Sequence, residues 1–346
     1  MIFIVTGAAG FIGSSLVGEL LKIGHKVIGI DNLSYSSNLD SLQAHKDDDN
    51  FIFQELDIRD KKAIDEILEK YKPKGLFHLA AQTHVDRSID GPKEFIEHNI
   101  IGTFSLLEST RSYFESLSSE ERAEFRFLHI STDEVFGSLN FESKPSRESD
   151  RYEPSSPYSA SKASSDHLVL AWYKTYGLPV LVTNCTNNYG PWQFPEKLIP
   201  RIIFKALRKE RIEIYGDGSN IRDWLFVNDH AKALILVMES GSVGNYYNVG
   251  GESELSNIDL CFEICDRLDN YLSEPEGTHS KLISFVADRP GHDLRYSLDI
   301  SKIKKDLGYS PVTKIDEGLS QTIQWYLNNQ DFLFKEIDLI KERLGN

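Results

Sequence analysis

The first thirty-one residues constrain the fold most. Met1-Ile2-Phe3-Ile4-Val5 is an apolar run of strand length. Thr6-Gly7-Ala8-Ala9-Gly10-Phe11-Ile12-Gly13 follows, then a helical pattern from Phe11 to Ile23, then the apolar run Lys26-Val27-Ile28-Gly29-Ile30-Asp31. A strand, a glycine-rich turn, a helix and a second strand in this order make a crossover unit, which pairs its strands in parallel and right-handedly. The rhythm continues. Phe51 to Leu56, Gly75 to Ala81, Phe125 to Ser131 and Leu178 to Thr183 read as strands. Asp60 to Tyr71, about Pro92 to Ser116, and Ser156 to Tyr176 read as helices. Lys46 to Asn50 and Leu117 to Glu124 read as loops. The expected fold is α/β, a doubly wound, mostly parallel sheet covered by helices, with its ligand at the carboxyl ends of the strands.

After about residue 185 the alternation breaks at Pro191, Pro195 and Pro200. The expected division is a dinucleotide-binding domain over residues 1–184 and a smaller substrate-binding domain over 185–346, with some of the latter's segments packing back on the sheet. A chain of 346 residues has material for both. Its net charge of −15 argues against nucleic-acid partners. The three cysteines, Cys185, Cys261 and Cys265, cannot form a disulfide framework, and Cys261 and Cys265 fit one helix face as buried thiols. No metal-ligand spacing is present. Without a long apolar run or a leader pattern, the expectation is a cytoplasmic protein with no membrane partner.

The glycines at 7, 10 and 13 have a physical use. Gly7 permits a tight turn, Gly10 lets backbone N–H groups approach a pyrophosphate, and Gly13 lets the helix pack close to the strand. Phe11 and Ile12 begin that helix. Asp31 ends the second strand, where a carboxylate accepts ribose hydroxyls and repels a 2′-phosphate; it also fits a plain turn residue. No Arg or Lys follows between Asn32 and Ser36, so NAD is expected over NADP. Asp57 and Ile58 follow the third strand, where they could meet the adenine or cap a helix.

Tyr158 and Lys162 stand at i and i+4, on one face of the helix that follows the fifth strand. A phenol is a poor base at neutral pH unless cations beside it favour phenolate. Ser131-Thr132-Asp133-Glu134 leaves the fifth strand at the ligand edge. Thr132 is placed to hold a reacting hydroxyl. Asp133 and Glu134 read either as an acidic loop opening or as a carboxyl pair whose pKa values are pushed apart, one acid and one base, the equipment for eliminating water.

Together with Ala80-Ala81-Gln82-Thr83-His84-Val85-Asp86-Arg87-Ser88, Asn187-Asn188-Tyr189-Gly190-Pro191, the run from Phe194 to Pro200, Gly216 to Trp224 and Asp288 to Asp293, these motifs resemble the extended short-chain dehydrogenase/reductases. More narrowly the chain resembles their nucleotide-sugar 4,6-dehydratases, over nearly its whole length. The resemblance implies oxidation at sugar C4 with Tyr158 as base and Thr132 assisting. Loss of water across C5 and C6 follows, with Glu134 as base and Asp133 as acid, and hydride then returns to C6 from bound NAD. Lys162 would hold the cofactor ribose, and Ala80 and Ala81 would line the cofactor site. Thr83, His84, Asn187, Lys197, Leu198, Arg222, Arg289 and His292 would meet the nucleotide sugar. The substrate implied is a nucleoside-diphosphate glucose, dTDP-glucose first. Gln82-Thr83 looks more like the UDP-glucose 4,6-dehydratases. A homodimer through a four-helix bundle is implied. A 4-epimerase on the same fold would have no use for Asp133-Glu134, and a decarboxylase none for an acid such as Asp133. A non-catalytic dinucleotide-binding module would not need all five catalytic residue types.

Overall fold

The computed structural model describes residues 1–288 and 291–335. Its main sheet has seven strands, β1 (Ile2–Thr6), β2 (Lys26–Asp31), β3 (Phe51–Glu55), β4 (Gly75–His78), β5 (Arg126–Thr132), β6 (Val180–Cys185) and a later strand, Tyr246–Val249. Between β6 and that strand come β7 (Asn187–Tyr189), β8 (Ile212–Tyr215) and β9 (Ile221–Phe226), which makes Tyr246–Val249 β10. β11 (Glu254–Ser256) and β12 (Ile283–Val286) complete the set. The order across the main sheet is β10-β6-β5-β4-β1-β2-β3, and every pairing is parallel. The order reverses about β1, so the loops after β1 and β4 diverge at the carboxyl edge and open a crevice between them.

Strand alternation feeds two cores. Phe3 and Val5 of β1 join Leu16, Val17 and Leu20 of the Phe11–Lys22 helix and Leu234 and Val237 of the Val227–Ser240 helix on one face. Ile4, between them, joins Ile64, Leu68, Leu106, Leu107 and Val169 on the other. A third core lies under the later half. Ile199, Ile203 and Phe204 of the Leu198–Leu207 helix pack with Leu260, Cys261, Ile264 and Cys265 of the Asn257–Tyr271 helix. Both thiols are buried.

Two stretches depart from the sequence reading. The Leu117 to Glu124 loop contains a helix, Ser119–Glu124. Ser118 accepts from the Glu121 amide while Glu121 accepts from the Ser118 amide, a reciprocal cap that starts a helix even without an apolar face. The Pro92 to Ser116 helix is interrupted by a π turn over Ile96–Ile101. There Asn99 turns inward. Its Oδ1 accepts from the Gln82 amide at 2.7 Å, and its Nδ2 donates to Gln82 O at 3.0 Å and Ser161 Oγ at 2.8 Å. The wider turn lets one side chain anchor the loop after β4.

Candidate active site

A single cleft at the carboxyl edge collects most of the residues singled out in the sequence. Gly7, Gly10, Phe11, Ile12, Gly13, Asp31, Asn32, Asp57, Ile58, Ala80, Ala81, Tyr158 and Lys162 line it, as do Thr132, Asp133 and Glu134. Of the substrate candidates, Thr83, Asn187 and Lys197 line it.

One wall is made of backbone. Gly7 has φ of 72°, and a Cβ there would stand 2.8 Å from the Ala80 nitrogen. A Cβ on Gly13 would stand 2.0 Å from Gly7 O. No side chain fits either position, so the turn stays shallow and the amides of Phe11, Ile12 and Gly13 open the helix with no intrahelical acceptor. No acidic side chain occupies that first turn. The wall therefore fits an anionic group such as a pyrophosphate. Asp31 is buried beside it. Its carboxylate accepts from the Ala9 amide at 3.0 Å, the Leu33 amide at 2.9 Å and Ser37 Oγ at 2.7 Å. Burial raises its pKa against those three bonds. Three of roughly four lone-pair sites are used, which leaves acceptor capacity for a ribose hydroxyl.

Asp57 lines the cleft and is not the helix cap that the sequence also allowed. Asp60 caps that helix, accepting from the Ala63 amide. Asp57 is held by Arg59 through the amide and guanidinium, and by Asn32 Nδ2 at 3.0 Å. Those donors hold its carboxyl well below the usual range despite partial burial.

The opposite wall is made of titratable side chains. The Thr132 hydroxyl donates to Asp133 Oδ1 at 3.2 Å and accepts from the Glu134 amide. Burial, then the neighbouring Glu134, raise the Asp133 carboxyl well above its ordinary range, against the pull of Arg222 and Thr132. Its Oδ2 is buried and, among the described residues, has no hydrogen-bond partner. A neutral carboxylic acid with one unmatched oxygen facing a cleft is a proton donor waiting for an acceptor. Burial also raises the Tyr158 phenol, helped by Glu134 and Cys185, and lowers the Lys162 ammonium. Lys162 Nζ donates to Ile130 O at 2.8 Å and lies 3.4 Å from His129 Nε2.

The remaining substrate candidates lie outside the cleft's lining. His84 caps the Val85–Asp90 helix, with Nδ1 accepting from the Arg87 amide at 3.3 Å. Leu198 opens its helix directly after Lys197, whose Nζ donates to Thr83 O at 3.0 Å. Arg222 is buried, donating to Asp293 O at 3.0 Å with its guanidinium over Tyr296. His292 Nδ1 lies 2.6 Å from Asp288 Oδ1. Arg289 lies outside the described residues.

Sequence reasoning missed the clasp at the cleft's rim. Tyr35, on the loop after β2, donates to Glu196 Oε1 at 2.9 Å across the opening. The Arg87 guanidinium stacks on the Tyr35 ring at 3.6 Å and approaches Glu196 Oε2 at 3.5 Å. Nothing in the local sequence signals a contact between residues so far apart. Asn99 was missed for a different reason, since a π turn has no pattern of its own.

Comparisons with known proteins agree with this geometry. The model of the family described as GDP-mannose 4,6 dehydratase matches residues 4–322. The chain is 50% identical over 331 residues to a dTDP-glucose 4,6-dehydratase of Neisseria meningitidis serogroup B, covering 94% of this chain and 93% of that protein. It is 49% identical to dTDP-glucose 4,6-dehydratase 1 of Escherichia coli K12, covering 95% and 93%. The fold matches that of DesIV, a dTDP-glucose 4,6-dehydratase from Streptomyces venezuelae solved with NAD and TYD bound, with a TM-score of 0.87, 40% identity and coverage of 96% and 98%. It also matches a UDP-glucose 4-epimerase of Thermotoga maritima solved with UDP-glucose, with a TM-score of 0.83, 31% identity and coverage of 95% and 100%.

Proposed function

The chain belongs to the GDP-mannose 4,6-dehydratase family, and from that premise we propose that it is an NAD-dependent 4,6-dehydratase that converts dTDP-glucose to the 4-keto-6-deoxy sugar. The observation that carries the reading is the pair Asp133-Glu134 beside Thr132 and Tyr158 in one cleft. An epimerase on this fold needs the tyrosine and the lysine but has no water to eliminate.

NAD, when bound, would supply the hydride acceptor for sugar C4 and the hydride donor for C6. The glycine turn and the amides of Phe11, Ile12 and Gly13 would hold its pyrophosphate, and Asp31 a ribose. Asn32, Asp57 and Ile58 would meet its adenosine end, and Ala80, Ala81 and Lys162 its other ribose. Thr132 Oγ1 orients the C4 hydroxyl, and Tyr158 Oη takes its proton. The C4 ketone acidifies C5–H, so a carboxylate suffices as the base: Glu134 removes that proton, and C5 is reprotonated when hydride reaches C6. Asp133, kept neutral by burial and by Glu134, gives its proton to the C6 hydroxyl, which leaves as water. Thr83, Asn187 and Lys197 meet the sugar and diphosphate within the cleft. His84, Leu198, Arg222 and His292 would meet the nucleotide beyond it.

Two coarser features belong to the same reading. Ile96, Ile101, Phe104 and Tyr176 are exposed apolar residues on the adjacent helices Pro92–Ser116 and Pro157–Tyr176, which supports a homodimer through a four-helix bundle. The three buried free thiols fit a reducing compartment, the cytoplasm. Among the described residues no helix is long and apolar enough to cross a membrane.

The test is to incubate the purified protein with dTDP-glucose, and separately UDP-glucose, with no cofactor added, and to follow product mass. Loss of one water from dTDP-glucose is expected. Unchanged mass with both, repeated with added NAD, overturns the dehydratase reading.

A further inference from the structure

Below the Tyr158–Lys162 pair lies a set of buried charges that the reaction above does not use. Asp166 is on the same helix as Lys162, one turn further on, and is fully buried. Its Oδ2 gathers three donors from three elements: Ser131 Oγ of β5 at 2.8 Å, the Tyr152 hydroxyl at 2.9 Å and Asn184 Nδ2 of β6 at 3.5 Å. Its Oδ1 points the other way. It lies 3.1 Å from His129 Nε2 yet, among the described residues, receives no directed hydrogen bond. The same His129 nitrogen lies 3.4 Å from Lys162 Nζ. One imidazole edge therefore stands between an ammonium and a carboxylate, all three shielded from solvent.

His129 cannot supply the missing charge. Burial and the lysine hold its pKa well below the ordinary value, and His78, 5.1 Å away on β4, is held down likewise. Other titratable groups face this region. Cys185 comes from β6, Asp133 and Glu134 from the turn after β5, Tyr158 from the lysine's own helix, and Tyr152 and Tyr246 lie beyond Asp166. Burial favours the neutral form of Cys185, the tyrosines and Asp133. After burial itself, Asp166 is the largest influence on Lys162 and acts to keep it protonated. A fully buried lysine without a counter-charge loses its proton near neutral pH.

We propose that Asp166 is the buried counter-ion of Lys162, spaced from it by His129, and that both are positioning residues for the Tyr158 site. The inference rests on the reading of Tyr158 and Lys162 as the working pair. The three donors on Oδ2 keep the carboxylate ionised and aimed, Oδ1 is left to the cation, and Lys162 stays charged where the phenol needs it. Burial pushes the Asp166 carboxyl up to about 6, against the pull of Lys162 and its three donors. Above that pH the pair is ion-matched; below it Asp166 is protonated and Lys162 stands alone.

The test reads the lysine directly. The whole chain is prepared with lysine labelled at 13Cε and titrated by NMR, and the Lys162 resonance is assigned by its loss in Lys162→Met. In the wild type this resonance is expected to show an inflection near pH 6 from Asp166. In Asp166→Asn, a near-isosteric change, the inflection disappears and the Lys162 pKa falls by about one unit or more. In Tyr152→Phe, which removes one donor to Oδ2 and leaves the fold intact should the first variant not fold, the inflection moves to higher pH. The alkaline limb of kcat moves down in Asp166→Asn with KM nearly unchanged. A Lys162 titration with no inflection in the wild type, or one identical in both variants, overturns the proposal. The lysine titrations need no turnover, so a wild type that leaves dTDP-glucose intact counts against the dehydratase reading alone.

Discussion

The two walls of the cleft are built on opposite principles. The wall after β1 is backbone: glycines that no side chain can replace, amides opening a helix, and one aspartate whose oxygens are largely satisfied by its own loop. The wall after β5 is side chains: a carboxyl, a phenol and an ammonium whose burial pushes each toward its neutral form, and an Asp133 oxygen left without a partner. The first wall's carboxylate is largely satisfied before anything binds, with helix amides left open to a ligand; the second wall's side chains are not. A surface that must hold one ligand through every turnover gains from being finished in advance. A surface that must give and take protons has to keep groups near the limit of their charged and neutral forms, and burial does that.

The largest effect expected is on the unsatisfied wall. Tyr158→Phe removes the group proposed to take the C4 proton and should lower turnover of dTDP-glucose by ~10³–10⁴-fold. Rapid mixing should show no transient reduced nicotinamide; reduction at the wild-type rate would put the base elsewhere. Asp133→Asn and Glu134→Gln should each slow water loss by ~10²–10³-fold. In both, reduced nicotinamide should build up, because the first oxidation outruns elimination. Dehydration at the wild-type rate in both would remove the acid–base assignment.

Changes on the satisfied wall should read as binding and stability. In Gly13→Ala the new methyl meets Gly7 O at 2.0 Å, so the turn must open. A loss of roughly 1–3 kcal/mol in stability is expected, with purified protein emptied of NAD, read by melting temperature and by cofactor content after denaturation. An unchanged cofactor content would separate the turn from pyrophosphate binding. The smallest effect is expected at the rim, where the two walls meet. Tyr35→Phe deletes the bond to Glu196 at 2.9 Å, worth about 1 kcal/mol, and should speed NAD release about fivefold without changing water loss per bound cofactor. Equal release rates would show that the clasp does not hold the cleft shut.

Most of the satisfied wall was legible in the chain. Glycines at 7, 10 and 13 between a strand and a helix, and an acid at the end of the next strand, act through neighbours close in sequence or through the one strand pairing that the alternation already implies. The types and spacing on the other wall were legible too, since Thr132 to Glu134 leave β5 together and Tyr158 and Lys162 share a helix face. The Asn32 side chain that holds Asp57 comes from another loop, and no local pattern announces their meeting.

By itself, then, the sequence determined the parallel sheet, the dinucleotide turn and the five residues at the end of β5 and the start of the following helix, because each depends on periodicity, on backbone freedom or on spacing of four residues or fewer. Only the tertiary structure decided which groups are charged. Burial and Glu134 push the Asp133 carboxyl well above its ordinary range, Asp166 and Lys162 both meet a histidine of β5, and Tyr35 meets Glu196 across the cleft. Those are properties of distance and dielectric, which exist only once the chain has closed on itself.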